Sequence, residues 1–519
     1  MHSRRRLSLA LAGLGLATAA IMPAAAATLK VHLNADIRGI NPGVNRDDNT
    51  DSVILHVVEG LVAYGEDSAV KPLLAETIAV SPDGLSYTFT LRKGLKFHNG
   101  ADVTSADMVW SWNRYMDAKA DWRCLSEFDG RGRVKVEAVT APDPATVVFK
   151  LDKPSSLFLA NLARTDCAMT AILHKDSLKP DGSFDKPIGT GPYKFAEWKR
   201  GEFVRLTRNE AYASLPGAPD GYTGGKRPLI DEIRFMVIPD GATAKAALLR
   251  GDVDVIPDVA NAEVKELRKD QRIGLSITPN MGLVGILLQT RDPLLGNVKL
   301  RQAIAAAIDT EELVAQVTDG LGKRNNSIVP SMSSYYGPAQ VKGYTYDLAA
   351  AKKLLQEAGY KGEPLVMLAN KRYPQSFDAA VVSQQMLQAA GINVQIEVLE
   401  WATQLDRYTK GNYQLQAFPY SARLDPALSF ESMTGPKATQ PRKVWDTPES
   451  QALLDKSMVV SDKAERQRLF DELHQRFIAE VPMVMLYNGI DAGAYGKRVK
   501  GYKSSILSKP RLWEVTVAD

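Results

Sequence analysis

The sequence has little of what catalytic and metal-binding sites are usually built from. It holds two cysteines and six histidines in 519 residues, and the histidines are scattered along the chain. Neither H-E-x-x-H nor G-x-S-x-G occurs, and Gly224-Gly225-Lys226 lacks the first glycine of a phosphate-binding loop. We therefore expect a protein that is not an enzyme and that has no catalytic residues, no metal site and no cofactor.

Cysteine is confined to Cys124 and Cys167. An isolated pair forms a disulfide in many exported proteins, and both residues fall in one predicted subdomain, so they are close enough in the chain's organisation to pair. Two separate buried thiols are the alternative, and the sequence leaves both open. The pair is retained here as a predicted disulfide.

A long apolar run occurs at the N-terminus, where Leu7–Met22 follows the basic residues Arg4–Arg6. The run is short for a membrane span, and Ala25-Ala26-Ala27 supplies the small residues of a cleavage site. We predict a cleaved signal peptide over residues 1–27, with Sec and twin-arginine export both open. No cysteine lies near the cleavage site, so no lipid anchor is expected. The mature chain should be periplasmic, without stable membrane insertion.

Excess charge is also lacking in the mature chain. The formal charge is +4, but the leader carries three arginines and no acid, so 61 basic residues face 60 acidic ones after cleavage. No basic stripe interleaved with aromatic residues is present, which argues against nucleic acid as a partner. The remaining 492 residues exceed a single hydrophobic core, so two or more domains are expected.

Two stretches have the pattern of a β-α-β unit. The first has strands at 233–238 and 253–256 around a helix at 242–250, and the second has strands at 365–368 and 392–398 around a helix at 375–390. Short connections of this kind predict parallel strands with a right-handed crossover. We therefore predict an α/β protein with two lobes.

Three further elements are predicted from spacing. Residues 51–62 have helical periodicity, and 283–288 is an apolar strand. Residues 193–208 form a hairpin, with Tyr193, Phe195 and Glu197 on one face and Trp198 on the other.

Several longer motifs agree with one family. They are PIGTGPYKFAEWKRG with RNEAY at 187–212, SPDGLSYTFTLRKGLKFHNGADVTSADMVWSWNR at 81–114, and R-Q-A with A-I-D at 301–309. Together they resemble the family 5 extracellular solute-binding proteins, the receptors of ABC importers for peptides, nickel chelates and related solutes. The resemblance spans nearly all of the mature chain.

This resemblance implies a two-lobed periplasmic-binding-protein fold, type II and cluster C-like, with an extra subdomain inserted in the first lobe. Its predicted boundaries are 28–66, 188–275 and 487–519 for the discontinuous lobe I, 67–187 for the inserted subdomain, and 276–486 for lobe II. Two lobes joined by crossing strands make a hinge that closes on a ligand touching both.

The resemblance places a ligand loop within 413–430. In the dipeptide and oligopeptide receptors, an aspartate three residues before the D-P pair holds the ligand's ammonium group. Counting back from Asp425 gives Ala422, so recognition of a peptide N-terminus is in doubt. Arg423 instead suits a carboxylate or phosphate, Tyr420 lies beside it, and Asp425 either takes an ammonium group or caps the next turn.

Other candidate ligand residues follow predicted strands, where α/β sheets tend to bind ligands. Arg372 and Tyr373 follow one strand of lobe II, and Trp401 follows another, with burial in the core as its alternative. Asn41, Asn45 and Arg46 follow the first strand of lobe I, where a solvated loop is the alternative. They are included in the predicted site on position alone.

We thus expect a monomeric periplasmic receptor that passes a small peptide or peptide-like solute, unchanged, to an inner-membrane ABC permease. A receptor for an anionic non-peptide, such as an opine or sugar-phosphate conjugate, or for a nickel chelate is the alternative in the same class. Alternatives from other classes are a secreted hydrolase, a chemoreceptor partner and a periplasmic chaperone.

Overall fold

A computed structural model describes residues 27–44 and 47–518. The predicted signal peptide, up to residue 26, and Asn45 and Arg46 of the predicted site lie outside the described residues. The strands are β1 Thr28–Leu33, β2 Val62–Tyr64, β3 Val70–Pro72, β4 Ala75–Val80, β5 Ser86–Leu91, β6 Val136–Asp143, β7 Thr146–Leu151, β8 Tyr193–Lys199, β9 Phe203–Arg208, β10 Pro219–Asp220, β11 Thr223–Gly224, β12 Glu232–Val237, β13 Val255–Ile256, β14 Ile273–Leu288, β15 Leu365–Ala369, β16 Val394–Val398, β17 Leu415–Tyr420, β18 Met483–Gly496, β19 Val499–Lys500 and β20 Thr516–Val517.

The helices lie between these strands. They are α1 Asp48–Ile54, α2 Ser105–Met116, α3 Phe158–Leu162, α4 Gly241–Arg250, α5 Asn261–Leu267, α6 Val298–Ala307, α7 Thr310–Val317, α8 Pro338–Val341, α9 Leu348–Ala358, α10 Pro374–Ala389, α11 Trp401–Lys410, α12 Pro426–Met433, α13 Pro448–Ser457 and α14 Lys463–Glu480. None of the helices in the described part of the chain is long and apolar enough to cross a membrane.

A ten-stranded mixed sheet runs through the molecule in the order β16-β15-β17-β14-β18-β13-β1-β12-β9-β8. At one end β1 pairs in parallel with β12 and β13, and at the other β15 pairs in parallel with β16 and β17. The parallel strands of both predicted β-α-β units are therefore confirmed. Helix α4 ends at Gly251, whose φ of 80° is the left-handed conformation that glycine tolerates best.

Two long antiparallel strands join the two ends of this sheet. β14 pairs with β18 from Ile273 to Leu287, and its register shifts between Pro279 and Leu283. The predicted strand at 283–288 is only the apolar end of β14, because polar residues in the first half interrupt the apolar pattern. The predicted lobe boundaries, near 276 and 486, fall within these two strands and remain a prediction.

A separate four-stranded antiparallel sheet, β4-β5-β7-β6, lies within the stretch predicted as the inserted subdomain. Helix α2 covers it and begins with a capping box between Thr104 and Asp107. Trp112 of this helix packs edge-on against Phe149 of β7, with ring centroids 5.1 Å apart. The subdomain thus has a sheet and an aromatic core of its own.

The predicted helix over 51–62 is wrong beyond Ile54. The carbonyl of His56 accepts from the Tyr193 amide at 3.1 Å, and that of Val57 accepts from the Gly191 amide at 3.0 Å. These carbonyls bind the 187–212 motif instead of continuing a helix. A Cβ atom on Gly191 would lie 2.5 Å from the His56 oxygen, which explains why this position needs glycine.

The predicted faces of the 193–208 hairpin are also wrong at one point. The pairing of β8 with β9 shifts by one residue between Phe195 and Glu197. Such a bulge reverses the alternation of the following side chains, and Phe195 and Trp198 consequently pack against the same core as the buried Tyr193.

A fully buried ion pair fixes the same region. The Lys226 ammonium donates to the Glu59 carboxylate at 2.6 Å, and neither side chain is more than 1% exposed. Tyr212 donates to the same oxygen of Glu59 at 2.7 Å, and the Thr190 hydroxyl donates to the other at 3.1 Å. Every charge here has a partner, so this cluster ties the 187–212 motif to the segment after α1.

Candidate functional site

The candidate site lies where the parallel strands of the β15–β17 end finish. Each strand runs into a loop or helix that carries an aromatic residue from the predicted site: Tyr373 after β15, Trp401 after β16, and Tyr420 at the end of β17. The ring centroids of Tyr373 and Trp401 are 4.9 Å apart. Phe418 links the set, with its centroid 5.6 Å from Trp401 and 5.0 Å from Tyr420. The structure therefore brings three predicted residues into one aromatic wall.

Polar groups continue from this wall. The hydroxyls of Tyr408 and Tyr420 are 3.1 Å apart, and Arg442 donates to the Tyr408 hydroxyl at 3.2 Å. Burial raises the pKa of Tyr420 well above its usual value, with the neighbouring Tyr408 adding to the effect. The phenol is therefore a neutral hydrogen-bonding group at physiological pH.

Arg423 follows the wall as a cation without an acidic partner. Its guanidinium donates to the main-chain oxygens of Ser421 at 3.2 Å and Ala422 at 3.1 Å. Among the described residues it forms no ion pair with a carboxylate. Partial burial lowers its pKa, the nearby Arg164 and Arg442 lower it further, and Tyr420 and Tyr408 oppose them. This side chain is held at the loop's end by weak local contacts and retains hydrogen-bonding capacity.

Arg442 and Lys443 are two cations that the sequence did not identify. Arg442 also donates to the Ser432 carbonyl at 3.1 Å, and the Lys443 ammonium donates to the Glu431 carbonyl. Lys443 is 1% exposed, and burial lowers its pKa to about 8, with the positive charge of Arg442 contributing. No strand ends at these residues and no motif contains them, so only their position in space marks them.

Asp425 is close to Arg423 in sequence, but its carboxylate has other partners. Its carboxylate caps α12 by accepting from the Ala427 amide at 2.9 Å. It also receives two hydrogen bonds from Arg466, at 2.8 and 3.0 Å, in a pair whose side chains are less than a tenth exposed. Of the two roles proposed from sequence, the cap is the one observed. Its commitment to Arg466 leaves the ammonium-binding role without support.

The inserted subdomain approaches this region from the opposite side. The amide and hydroxyl of Ser156 donate to the carbonyls of Met458 and Ser457, at 3.1 and 3.0 Å. Arg133 pairs with Glu431 of α12, and Leu424 packs against the subdomain's core. The loop that carries Arg423 therefore lies at a boundary between the inserted subdomain and the second end of the central sheet.

A mixed-charge group faces that boundary from the subdomain. Arg164 donates to Asp166 at 2.9 and 3.0 Å and to Glu127 at 3.0 Å, and Arg123 donates to Asp166 at 2.9 Å. Burial lowers the pKa of Arg164, but the hydrogen bond with Asp166 and the charges of Asp166 and Glu127 outweigh it and raise this pKa above its usual value. Unlike the cations around Arg423, these arginines are balanced by carboxylates.

The structure joins Cys124 and Cys167 in a disulfide beneath this group, with their Cα atoms 6.0 Å apart. This spacing is ordinary for a disulfide. Each cysteine directly follows a member of the charged group, Arg123 and Asp166 respectively. The covalent link therefore holds the two segments that present these side chains.

Two other predicted residues, Asn41 and Arg372, are not part of the wall. Asn41 accepts a hydrogen bond from Arg114 of α2 at 2.6 Å, and Arg372 is exposed. Asn45 and Arg46 lie outside the described residues. A ligand role for these four residues stays a prediction from their place after a strand.

The fold and this boundary site define a class: a two-lobed α/β binding protein with an inserted subdomain. The family model of bacterial extracellular solute-binding proteins, family 5 Middle, matches residues 69–440, which is more than half of the chain. The protein belongs to this family. Its members bind solutes, which agrees with the expectation that the chain is a binding protein.

Relatives match over nearly the whole length. The chain is 28% identical to the dipeptide-binding protein of Escherichia coli, covering 99% of this chain and 100% of the relative. The structure of HbpA2 from Haemophilus parasuis has a TM-score of 0.82 at 25% identity, covering 95% of this chain and 100% of that one. The structure of AgaA from A. tumefaciens R10 in complex with agropinic acid has a TM-score of 0.67 at 27% identity, covering 95% and 99%.

Proposed function

We propose that the protein is the periplasmic substrate-binding component of an ABC importer, which captures a small peptide or peptide-like solute and delivers it to an inner-membrane permease. The observation that carries this proposal is the aromatic wall with its adjoining cations at the boundary between the inserted subdomain and the second lobe. The similarity to a dipeptide-binding protein over the full length supports a peptide-like cargo.

The mechanism proposed here is closure about the crossing strands. β14 and β18 connect the predicted lobes, and the register of their pairing shifts between Pro279 and Leu283 and again between Val284 and Gly285, so we place the bend in this stretch. A solute that touches the wall on one side and the subdomain on the other stabilises the closed form, because it binds that form better than the open one. No bond in the solute needs to change.

Export by the predicted signal peptide would deliver the mature, monomeric chain to the periplasm, where a permease could receive its solute. Residues 28–66, 188–275 and 487–519 would then form lobe I, and 276–486 lobe II. The oxidising periplasm also suits the Cys124–Cys167 pair.

A second candidate function is a receptor for an anionic non-peptide solute. Ala422 and Arg423 favour it, because the loop offers a cation where a peptide's ammonium group would need an acid. The structural neighbour AgaA was solved in complex with agropinic acid, which supports an organic acid as the cargo.

Two measurements test the proposed function. Differential scanning fluorimetry across dipeptides, tripeptides, opines, sugar phosphates and nickel chelates should find a solute that stabilises the protein by about 2.7 kcal/mol at a hundred times its Kd. Small-angle scattering with that solute should show compaction. An unchanged scattering curve with bound solute would rule out closure, and a chemically altered solute in the mass spectrum would favour the hydrolase.

A further inference from the structure

The cations around α12 are not neutralised by the protein itself. Arg423, Arg442 and Lys443 form no ion pair within the described ranges 27–44 and 47–518. Glu431 is the carboxylate whose charge acts on Lys443, and it is already paired with Arg133. The main-chain carbonyls that they contact carry only partial charges. Three full positive charges therefore lack a matching negative charge at this point.

The helix terminus explains part of this arrangement. Arg442 and Lys443 contact the carbonyls of Ser432 and Glu431, which belong to the last turn of α12. A helix C-terminus is equivalent to about half a negative charge, so it compensates a fraction of two cations and none of Arg423. An ammonium that is 1% exposed, compensated by this terminus and in part by a carboxylate that Arg133 already pairs, is costly to keep.

We propose that Arg423, Arg442 and Lys443 form a subsite for an oxyanion of the solute, either a carboxylate or a phosphate group. This proposal rests on the proposed function and names the chemical class of its substrate. The guanidinium groups suit bidentate contacts with such a group, and the Tyr408 and Tyr420 hydroxyls lie beside them as further hydrogen-bonding groups. The aromatic wall would then accommodate the apolar part of the same solute.

The subsite is tested first with citrate and inorganic phosphate, which represent the carboxylate and phosphate alternatives. We expect each effective anion to raise the melting temperature above that in chloride of equal ionic strength. This excess should be lost in R423Q and in K443M, whereas R468Q and K353M remove the same charges from exposed helix positions and should keep it. An anion effect equal in all five proteins would be general salting-out and would overturn the proposal.

Titration calorimetry gives the size of the effect. The Kd of the effective anion should rise about tenfold to a hundredfold in R423Q, as expected for the loss of a hydrogen-bonded charge. A Kd unchanged in both R423Q and K443M would place the anion elsewhere and overturn the subsite. Response to citrate but not phosphate would identify a carboxylate solute, and the reverse a phosphorylated one.

A pH series separates Lys443 from a general basic surface. Glu431, Arg442 and Arg133 are the charged groups that act on its ammonium, and burial lowers the pKa of Lys443 to about 8. Citrate affinity should fall as pH rises through this value in the wild type and stay level in K443M. If citrate affinity falls equally with pH in both proteins, Lys443 is not part of the subsite.

The same reagents distinguish failure of this inference from failure of the proposed function. If a neutral or cationic solute binds and compacts the wild type while no anion does so, the receptor function stands and the oxyanion subsite is wrong. If anions bind through Arg423 without compaction, the subsite stands and the closing mechanism is wrong.

Discussion

Two buried lysines show how differently this chain uses positive charge. Lys226 and Lys443 are both almost completely inaccessible to water. Lys226 has a carboxylate at 2.6 Å, which is further held by a tyrosine and a threonine. Lys443 has a main-chain carbonyl, two arginines and the Glu431 carboxylate for neighbours, and that carboxylate is already paired with Arg133. The first charge is balanced inside the protein and belongs to the fold, whereas the second is the charge that we propose an oxyanion of the solute balances.

The largest effect is expected from Lys226→Met. This change leaves Glu59 buried without its cation, and breaking such a pair costs about 3–5 kcal/mol. The free energy of unfolding, measured in urea, should fall by that amount. The double variant Glu59→Gln/Lys226→Met should recover part of the loss, because it removes both charges. A single variant as stable as the wild type would show that the pair contributes nothing to the fold.

The disulfide provides the next largest effect. Cys124 and Cys167 are separated by 43 residues in sequence, and closing a loop of this size stabilises a protein by about 2–4 kcal/mol. The C124S/C167S variant should unfold at a correspondingly lower urea concentration. Dithiothreitol should destabilise the wild type and leave the variant unchanged. If the reductant affects neither protein, the cysteines are separate thiols, the alternative open from the sequence.

Asp425→Asn tests whether this loop residue belongs to the fold or to the ligand. The substitution retains a side-chain oxygen for the cap of α12 but removes the charge that faces Arg466. We expect a loss of about 2–3 kcal/mol in unfolding free energy, since Arg466 stays buried. Affinity for the solute should change little when measured well below the melting temperature. If the variant is as stable as the wild type but no longer binds the solute, Asp425 belongs to the ligand site after all.

The sequence was most informative about the fold, because the recognised motifs are made of residues that build it. Gly191 lies against the carbonyl of His56. Arg301, from the R-Q-A motif, donates to the carbonyls of Leu295, Glu480 and Val481. Such contacts are the same whatever solute is bound. The motifs therefore identify the family, but they carry no information about the cargo.

The main chain brings three of the predicted site residues together, and their ligand role stays a prediction. Tyr373 and Trp401 were predicted because they follow strands, and Tyr420 because it lies in the loop that the family resemblance indicates. The three meet because the carboxyl ends of parallel strands lie at one edge of a sheet. Arg442 and Lys443 were missed, because they lie in the loop between α12 and α13 and approach Tyr408 and α12 through tertiary packing alone. The assignment of Asp425 also required its partner, Arg466, which is 41 residues away.

The smallest change in stability is expected from Lys443→Met. The way this change depends on pH distinguishes the two lysines most clearly. The folded-state pKa of Lys443 is lowered to about 8 from a usual 10.5, so the unfolded chain binds more protons between these values. Wild-type stability should therefore rise as pH increases across this interval, by the linkage between proton binding and folding. Below it, the buried ammonium destabilises the fold in full. Methionine has no such charge, but its introduction leaves the Glu431 carbonyl without a donor.

We therefore expect Lys443→Met to stay within about 1 kcal/mol of the wild type at neutral pH. The difference between the two proteins should shift in favour of the wild type as pH rises. Unfolding curves at several pH values measure this. The difference in stability between the wild type and Lys353→Met, on the exposed face of α9, should not change with pH. A loss as large as that of Lys226→Met would mean that the protein itself compensates the Lys443 ammonium, and the distinction between a charge kept for the fold and one kept for a solute would fail.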